Sequence, residues 1–299
     1  MKRTIYLLAS TPDPEHVMWG GHRNTLFYLE LKKKVDVRLV GVDKIPKVVA
    51  KPGDILWFFG TPDPTVNRML FFGQEHGAKL VYDMVDDWET LGWGNPDVER
   101  ELVKRADLVF VVSPFLEERC KPLRPKGGLH FVPNGFAAHY ASCKRKPKNK
   151  DFLYAGSLWA IGLESWVRFH TDVCAHPEMV MPMIDGTGPK LAYPQLNTFL
   201  KHGAFNVGVS FFQDKPFNRA RSPLKFYNYL YHQIKVWAEV PVSGWESVPN
   251  VYFLPFTQEN AQKILATPFI PMPDDWLKSN TFAARTDEVL RIFQKNLFS

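Results

Sequence analysis

Residues 205–240 read FNVGVSFFQDKPFNRARSPLKFYNYLYHQIKVWAEV. The apolar run 206–211 predicts a strand, and a charged loop follows over 212–221. Ser222 is a good N-cap and Pro223 a good first helical residue, so a helix is expected over 223–231. Residues 234–239 then predict the next strand. Strand, loop, helix and strand in this order are the unit of an α/β fold. Upstream, FLYA (152–155) leads through Gly156-Ser157 to a helix near 161–175. MVMPMI (179–184) leads to Asp185-Gly186-Thr187-Gly188 and a weak helix near 193–202. Downstream, a strand near 250–254 and helices near 258–267 and 286–297 finish the chain.

The first half repeats the pattern. TIYLLA (4–9), VDVRLVGV (35–42), DILWFF (54–59), KLVYDM (79–84) and DLVFVV (107–112) are short apolar runs. Their near-continuous apolar character fits a parallel sheet covered on both faces. Helices are expected between them over 22–34, 64–76, 95–105 and 114–120. In the third, Asn95 is a candidate cap and Pro96 the first helical residue. Residues 133–150 break the series with Pro133-Asn134-Gly135 and a basic run of Lys144, Arg145, Lys146, Lys148 and Lys150. The expected organisation is an α/β chain of two Rossmann-like domains facing a cleft. The first spans 1–143, a basic linker 144–150, the second 151–285, and a C-terminal helix 286–299.

Composition narrows the class. The chain has 299 residues, 45% hydrophobic and 23% charged, too apolar for a disordered chain and long enough for two domains. Its charge of +6 comes from 37 Lys and Arg against 31 Asp and Glu, and invites an anionic partner. Cys120, Cys143 and Cys174 have neither paired nor CxxC spacing, which points to a reducing, cytoplasmic compartment and away from zinc. No apolar run is long enough to span a bilayer, and peripheral membrane contact stays open. Trp19-Gly20-Gly21-His22-Arg23 opens the first helix without the G-x-G-x-x-G pattern, which weighs against NAD and FAD.

In doubly wound sheets, ligands bind beyond the carboxyl ends of strands, so three loops carry the functional reading. The first is Arg219-Ala220-Arg221-Ser222-Pro223-Leu224-Lys225. A helix starting here offers free N–H groups and a positive dipole end to an anion. Lys225 in the first turn is unfavourable unless an anion compensates. The second is Tyr82-Asp83-Met84-Val85-Asp86-Asp87-Trp88, whose carboxylates suit a general base or hydroxyl acceptors. Trp88 and Trp93 flank it as candidate stacking surfaces. The third is Asp185 to Gly188 together with Gly156-Ser157, where glycines admit close approach of a nucleotide.

These residues resemble a GT-B-type, family-four-like glycosyltransferase. Residues 205–240 match a strand–SPLK–helix segment of that family. YDMVDDW (82–88), ADLVFVVSPFLEERC (106–120), HFVPNGF (130–136) and FLYAGSL (152–158) match in order. The resemblance implies a nucleoside-diphosphate sugar, UDP- or GDP-linked, as donor, held mainly by the C-terminal domain. The helix start at Ser222, with Arg219, Arg221 and Lys225, would stabilise the departing diphosphate, so no metal or other cofactor is expected. Ser222, Pro223, Leu224 and Lys225, with Arg219 or Arg221, would face the diphosphate. Gly156, Ser157, Asp185, Gly186, Thr187 and Gly188 would lie near the diphosphate and base. Asn228 stands where the family has a ribose-binding Glu; a related inverting glucuronosyltransferase type has Lys and an amide spaced like Lys225 and Asn228. The final helix would cross back onto the N-terminal domain.

On that reading Asp86 or Asp87 is the candidate general base. The acceptor side comprises Gly20, Gly21, His22, Arg23, Asp83 and Trp88. The acceptor is a glycan or lipid-linked saccharide. An alternative is DNA carrying hydroxymethylated bases, prompted by the basic linker, Lys32-Lys33-Lys34 and Lys121 to Lys126. A further alternative is a non-catalytic module that binds sugar nucleotides or glycans.

Overall fold

The apolar runs of the first half form one sheet whose strands are all parallel. They are β1 (Ile5–Ala9), β2 (Val37–Gly41), β3 (Ile55–Phe59), β4 (Lys79–Met84), β5 (Leu108–Val111) and a short sixth strand, β6 (Leu129–Phe131). Their order is β2-β1-β3-β4-β5-β6, with Leu7 of β1 in register with Leu39 on one side and Trp57 on the other. The structure is a computed structural model. It describes residues 3–9, 22–41, 50–92, 95–123, 125–136, 150–155, 163–174, 178–180, 200–202, 204–212, 218 and 220–298.

Helices cover both faces of this sheet, as the unbroken apolar strands require. Leu56 and Phe58 point to one face, where Val66 and Leu70 of α2 (Pro64–Glu75), Leu102 and Val103 of α4 (Pro96–Arg105), and Leu116 of α5 (Pro114–Cys120) complete a core. The alternate residues Trp57 and Phe59 point to the other face. There Trp57 lies 4.9 Å from Phe27 of α1 (His22–Leu31) and 5.4 Å from Phe293 of the last helix. A short helix, α3 (Trp88–Leu91), follows β4.

The second sheet comprises β7 (Lys150–Ala155), β8 (Glu178–Val180), β9 (Phe205–Ser210), β10 (Lys235–Ala238) and β11 (Val251–Phe253). All pairs are parallel and the order is β8-β7-β9-β10-β11. In both sheets the order in which strands are added therefore reverses between β1 and β3 and between β7 and β9, the switch point where such folds bind ligands. One face holds Phe152, Tyr154, Val209, Phe211, Trp237 and Phe256. The other carries α7 (Leu224–Tyr231), whose Tyr229 lies directly on Gly208: a Cβ there would sit 2.4 Å from the ring.

Several boundaries differ from the sequence reading. The helix expected over 161–175 is α6 (Leu163–Arg168) followed by a π-turn, Phe169–Val173, closed by Cys174 N–H to the Phe169 carbonyl at 2.9 Å. The wider turn accompanies the burial of Phe169 among Phe152, Trp237 and Phe256. After α8 (Gln258–Ala266) comes an unforeseen helix, α9 (Asp274–Ser279). The last helix, α10 (Phe282–Leu297), begins four residues early because Phe282 packs edge-on against Phe27.

The chain divides into two compact units. The first comprises Met1–Asn134, Ala220–Ser222 and Phe282–Ser299; the second comprises Gly135–Arg219 and Pro223–Thr281. The passage at Asn134 precedes the boundary expected at 143 because Phe136 is already part of the second core, 3.9 Å from Tyr231. Of the basic linker 144–150, only Lys150 lies within the described residues, as the first residue of β7.

Candidate functional site

The end of β4 and the loop after it place three carboxylates in three different environments. Asp83 is fully buried and accepts from Arg23 Nε at 2.9 and 3.1 Å and from the Trp57 indole N–H at 3.2 Å. Burial raises its carboxyl above the usual range, and Arg23 and Trp57 pull it back. Asp87 is buried and ion-paired with Arg119, which also reaches Glu89 at 2.7 Å and Glu99 at 3.1 Å. Asp86 is half-buried and lies 3.4 Å from Arg221 Nε. Burial raises its carboxyl too, with Arg221 opposing.

Arg23, Asp83 and Trp88, expected on the acceptor side, are all buried within the first unit. The end of β4 points Asp83 inward at Arg23 and Trp57. Gly20 and Gly21 lie outside the described residues, and of His22 only the backbone, opening α1, is described.

The basic loop before α7 departs from its sequence reading at one residue. Ser222 is not the cap. The helix begins at Leu224, Pro223 occupies the N-cap position, and among the described residues no side chain caps it. Ser222 Oγ instead accepts the Asn134 N–H at 3.1 Å, and the Ser222 carbonyl accepts the Asn134 side-chain amide at 2.7 Å. Ala220 is buried in the first unit's core beside them. Arg219 lies outside the described residues.

Within the second unit, Lys225 is in the first turn of α7. Its ammonium lies 5.1 Å from the Tyr154 ring at the end of β7 and 5.3 Å from the Phe212 ring just past β9. The helix start thus sits at the carboxyl ends of the two strands that flank the switch point. At the same edge, Ser210 ends β9 with its hydroxyl buried and without a hydrogen-bond partner among the described residues. Asn228, one turn further along α7, is buried. Gly156, Ser157, Asp185, Gly186, Thr187, Gly188 and Trp93 lie outside the described residues.

Sequence reasoning missed Ser210, Arg119 and Asn134. A lone hydroxyl in the apolar run VGVSFF was a usable signal for the first. The other two act through long-range partners that no local pattern reveals.

Among the described residues no cluster of His, Cys, Asp and Glu is arranged to hold a metal, and no helix is long and apolar enough to cross a membrane. Four of the lysines that prompted the DNA reading have acidic partners: Lys33 with Glu30 at 2.7 Å, Lys126 with Asp107 at 3.4 Å, and Lys34 and Lys121 with Asp287 and Glu118. Lys32 lies over the Tyr28 ring instead, and the linker residues Lys144, Arg145, Lys146 and Lys148 lie outside the described residues. Lysines neutralised in this way contribute little of the uncompensated charge that phosphate binding uses.

The chain is similar in structure to sucrose-phosphate synthase from Thermosynechococcus elongatus, with a TM-score of 0.68, 14% identity, and 99% of each chain covered. It is also similar to a point mutant of TarM from S. aureus, solved with fondaparinux, α-GlcNAc-glycerol and UDP. There the TM-score is 0.52 and the identity 11%, over 85% of this chain and 55% of that one. No protein-family model and no curated protein matches the sequence. At such identities the likeness concerns the fold: the protein has the α/β architecture of GT-B glycosyltransferases, built from two Rossmann-like units.

Proposed function

We propose that the protein transfers a sugar from a nucleoside-diphosphate sugar, UDP- or GDP-linked, to an acceptor hydroxyl on a glycan or lipid-linked saccharide, without a metal cofactor. One observation carries this reading: the start of α7, whose N-cap residue Pro223 has no capping side chain, and the Lys225 ammonium stand together at the carboxyl ends of β7 and β9. Backbone N–H groups, a positive dipole end and a cation at one point favour a diphosphate. They would stabilise the charge that grows on it as the bond from the sugar's anomeric carbon to the phosphate oxygen breaks. The likeness to sucrose-phosphate synthase along the whole chain, and the UDP in the TarM structure, support the donor class.

The new bond forms between the acceptor oxygen and the anomeric carbon. We assign the acceptor's proton to Asp86 if the configuration inverts, and to the departing phosphate oxygen if it is retained. Asp86 is favoured over Asp87 because Asp87 is buried against Arg119, while Asp86 keeps partial exposure and a raised carboxyl.

A thermal-shift panel of UDP- and GDP-sugars tests the donor site. A ligand at a hundredfold excess over its Kd adds about 2.7 kcal/mol to folding stability. Lys225→Ala should lose most of that shift. Asp86→Asn should keep the shift and lose at least a hundredfold in transfer if the reaction inverts. No shift with any sugar nucleotide overturns the donor reading; unchanged transfer by Asp86→Asn removes its role as base.

A further inference from the structure

A buried polar chain runs through the first unit and ends on Ser222, two residues before α7. The Trp57 indole donates to Asp83 at 3.2 Å, and Arg23 Nε donates to the same carboxylate at 2.9 Å. Arg23 Nη2 donates to the Val132 carbonyl at 2.7 Å and Nη1 to Asn134 Oδ1 at 3.2 Å. Asn134 then donates twice to Ser222, from its side-chain amide to the carbonyl at 2.7 Å and from its backbone N–H to Oγ at 3.1 Å. Arg23, Asp83, Asn134 and Ser222 are each at most 8% exposed, so water offers little substitute for any of these bonds.

The donor and acceptor roles allow one arrangement. An indole and a guanidinium only donate, and an ionised carboxylate only accepts. The Asn134 oxygen must therefore face Arg23, which leaves its NH2 for Ser222. Ser222 is joined directly to Pro223, the residue at the start of α7.

We propose that Asn134 is a positioning residue. Oriented by Arg23, it fixes Ser222 and thereby the path by which the backbone enters the anion-binding start of α7. Its effect on ligand binding rests on the donor reading above; its effect on the chain does not. Asn134→Asp isolates the last link. The carboxylate keeps its partner Arg23 but sets an acceptor against the Ser222 carbonyl.

In hydrogen exchange, the peptide spanning 218–226 should exchange about tenfold faster in Asn134→Asp, while the peptide spanning 235–238 is unchanged. In calorimetry with UDP and GDP, the diphosphate that the wild type binds should bind about tenfold more weakly, with Tm within a few degrees of wild type. Retained Tm with lost affinity is what a merely structural residue would not give. Should Asn134→Asp fail to fold, Ser222→Ala removes only the Oγ acceptor and should speed exchange of the same peptide about threefold. Unchanged exchange in that peptide overturns the proposal, as does faster exchange with undiminished affinity. Faster exchange in a protein whose wild type binds neither diphosphate upholds the positioning role and overturns the donor reading instead.

Discussion

Three aspartates within five residues look interchangeable in the sequence, and each owes its behaviour to a partner far along the chain. Asp83 answers to Arg23, Asp87 to Arg119, and Asp86 to Arg221. The loop was legible as a functional candidate, but the partners were not, because local spacing carries no information about them. The group around Arg119 has a measurable consequence. Glu99 accepts from Tyr82 Oη at 3.1 Å and lies 3.1 Å from Arg119, yet burial, reinforced by the charge of Glu89, pushes its carboxyl up to about 7. A carboxyl raised on folding binds more protons in the native state than in the unfolded one. Its contribution is complete below the unfolded value near 4.5 and is lost as pH rises through 7. Glu99→Gln lacks this loss, so its stability relative to the wild type should improve by about 2 kcal/mol between pH 5 and pH 8 in urea unfolding. A difference that stays constant over that range would place Glu99 at its ordinary value.

At the scale of elements, helix starts show where local signals suffice and where they fail. Asp63-Pro64, Asn95-Pro96 and Ser113-Pro114 each pair a capping side chain with a proline in the first turn. Each cap accepts from the N–H groups it should, at 2.8 and 3.0 Å for Asp63 and 3.3 Å for Ser113. Ser222-Pro223 has the same signature, but its hydroxyl is taken by Asn134 and its helix starts uncapped. The two serines differ in tertiary partner, not in sequence motif, and the uncapped helix is the one proposed as the anion site. Ser113→Ala should cost about 1 kcal/mol, and Ser113→Asp should recover most of it, since aspartate caps as well and its charge suits the dipole. Equal losses in both variants would show that the cap contributes nothing.

At the scale of the molecule, the strands of both sheets were legible as apolar runs, and their parallel order follows from helices on both faces. The destination of the last helix had no signal in its own periodicity. It is decided by aromatic packing: Phe293 sits 5.4 Å from Trp57 and 5.8 Å from Phe110, and Phe282 sits 5.3 Å from Phe27. The C-terminal residues Phe282–Ser299 thereby belong to the unit that begins at the N-terminus. Without them, Phe110 would lose its contact with Phe293, and Trp57 would keep only Phe27 of α1 as aromatic cover from a helix. Phe293 is 1% exposed, so Phe293→Ala removes a ring from a closed cluster and should cost about 3–5 kcal/mol. Each sheet has a core of its own, so the loss belongs to the first. Native-state hydrogen exchange should show reduced protection in β1, β3 and β5, with β9 and β10 unchanged. Losses of equal size in both sheets would mean instead that the two units open as one.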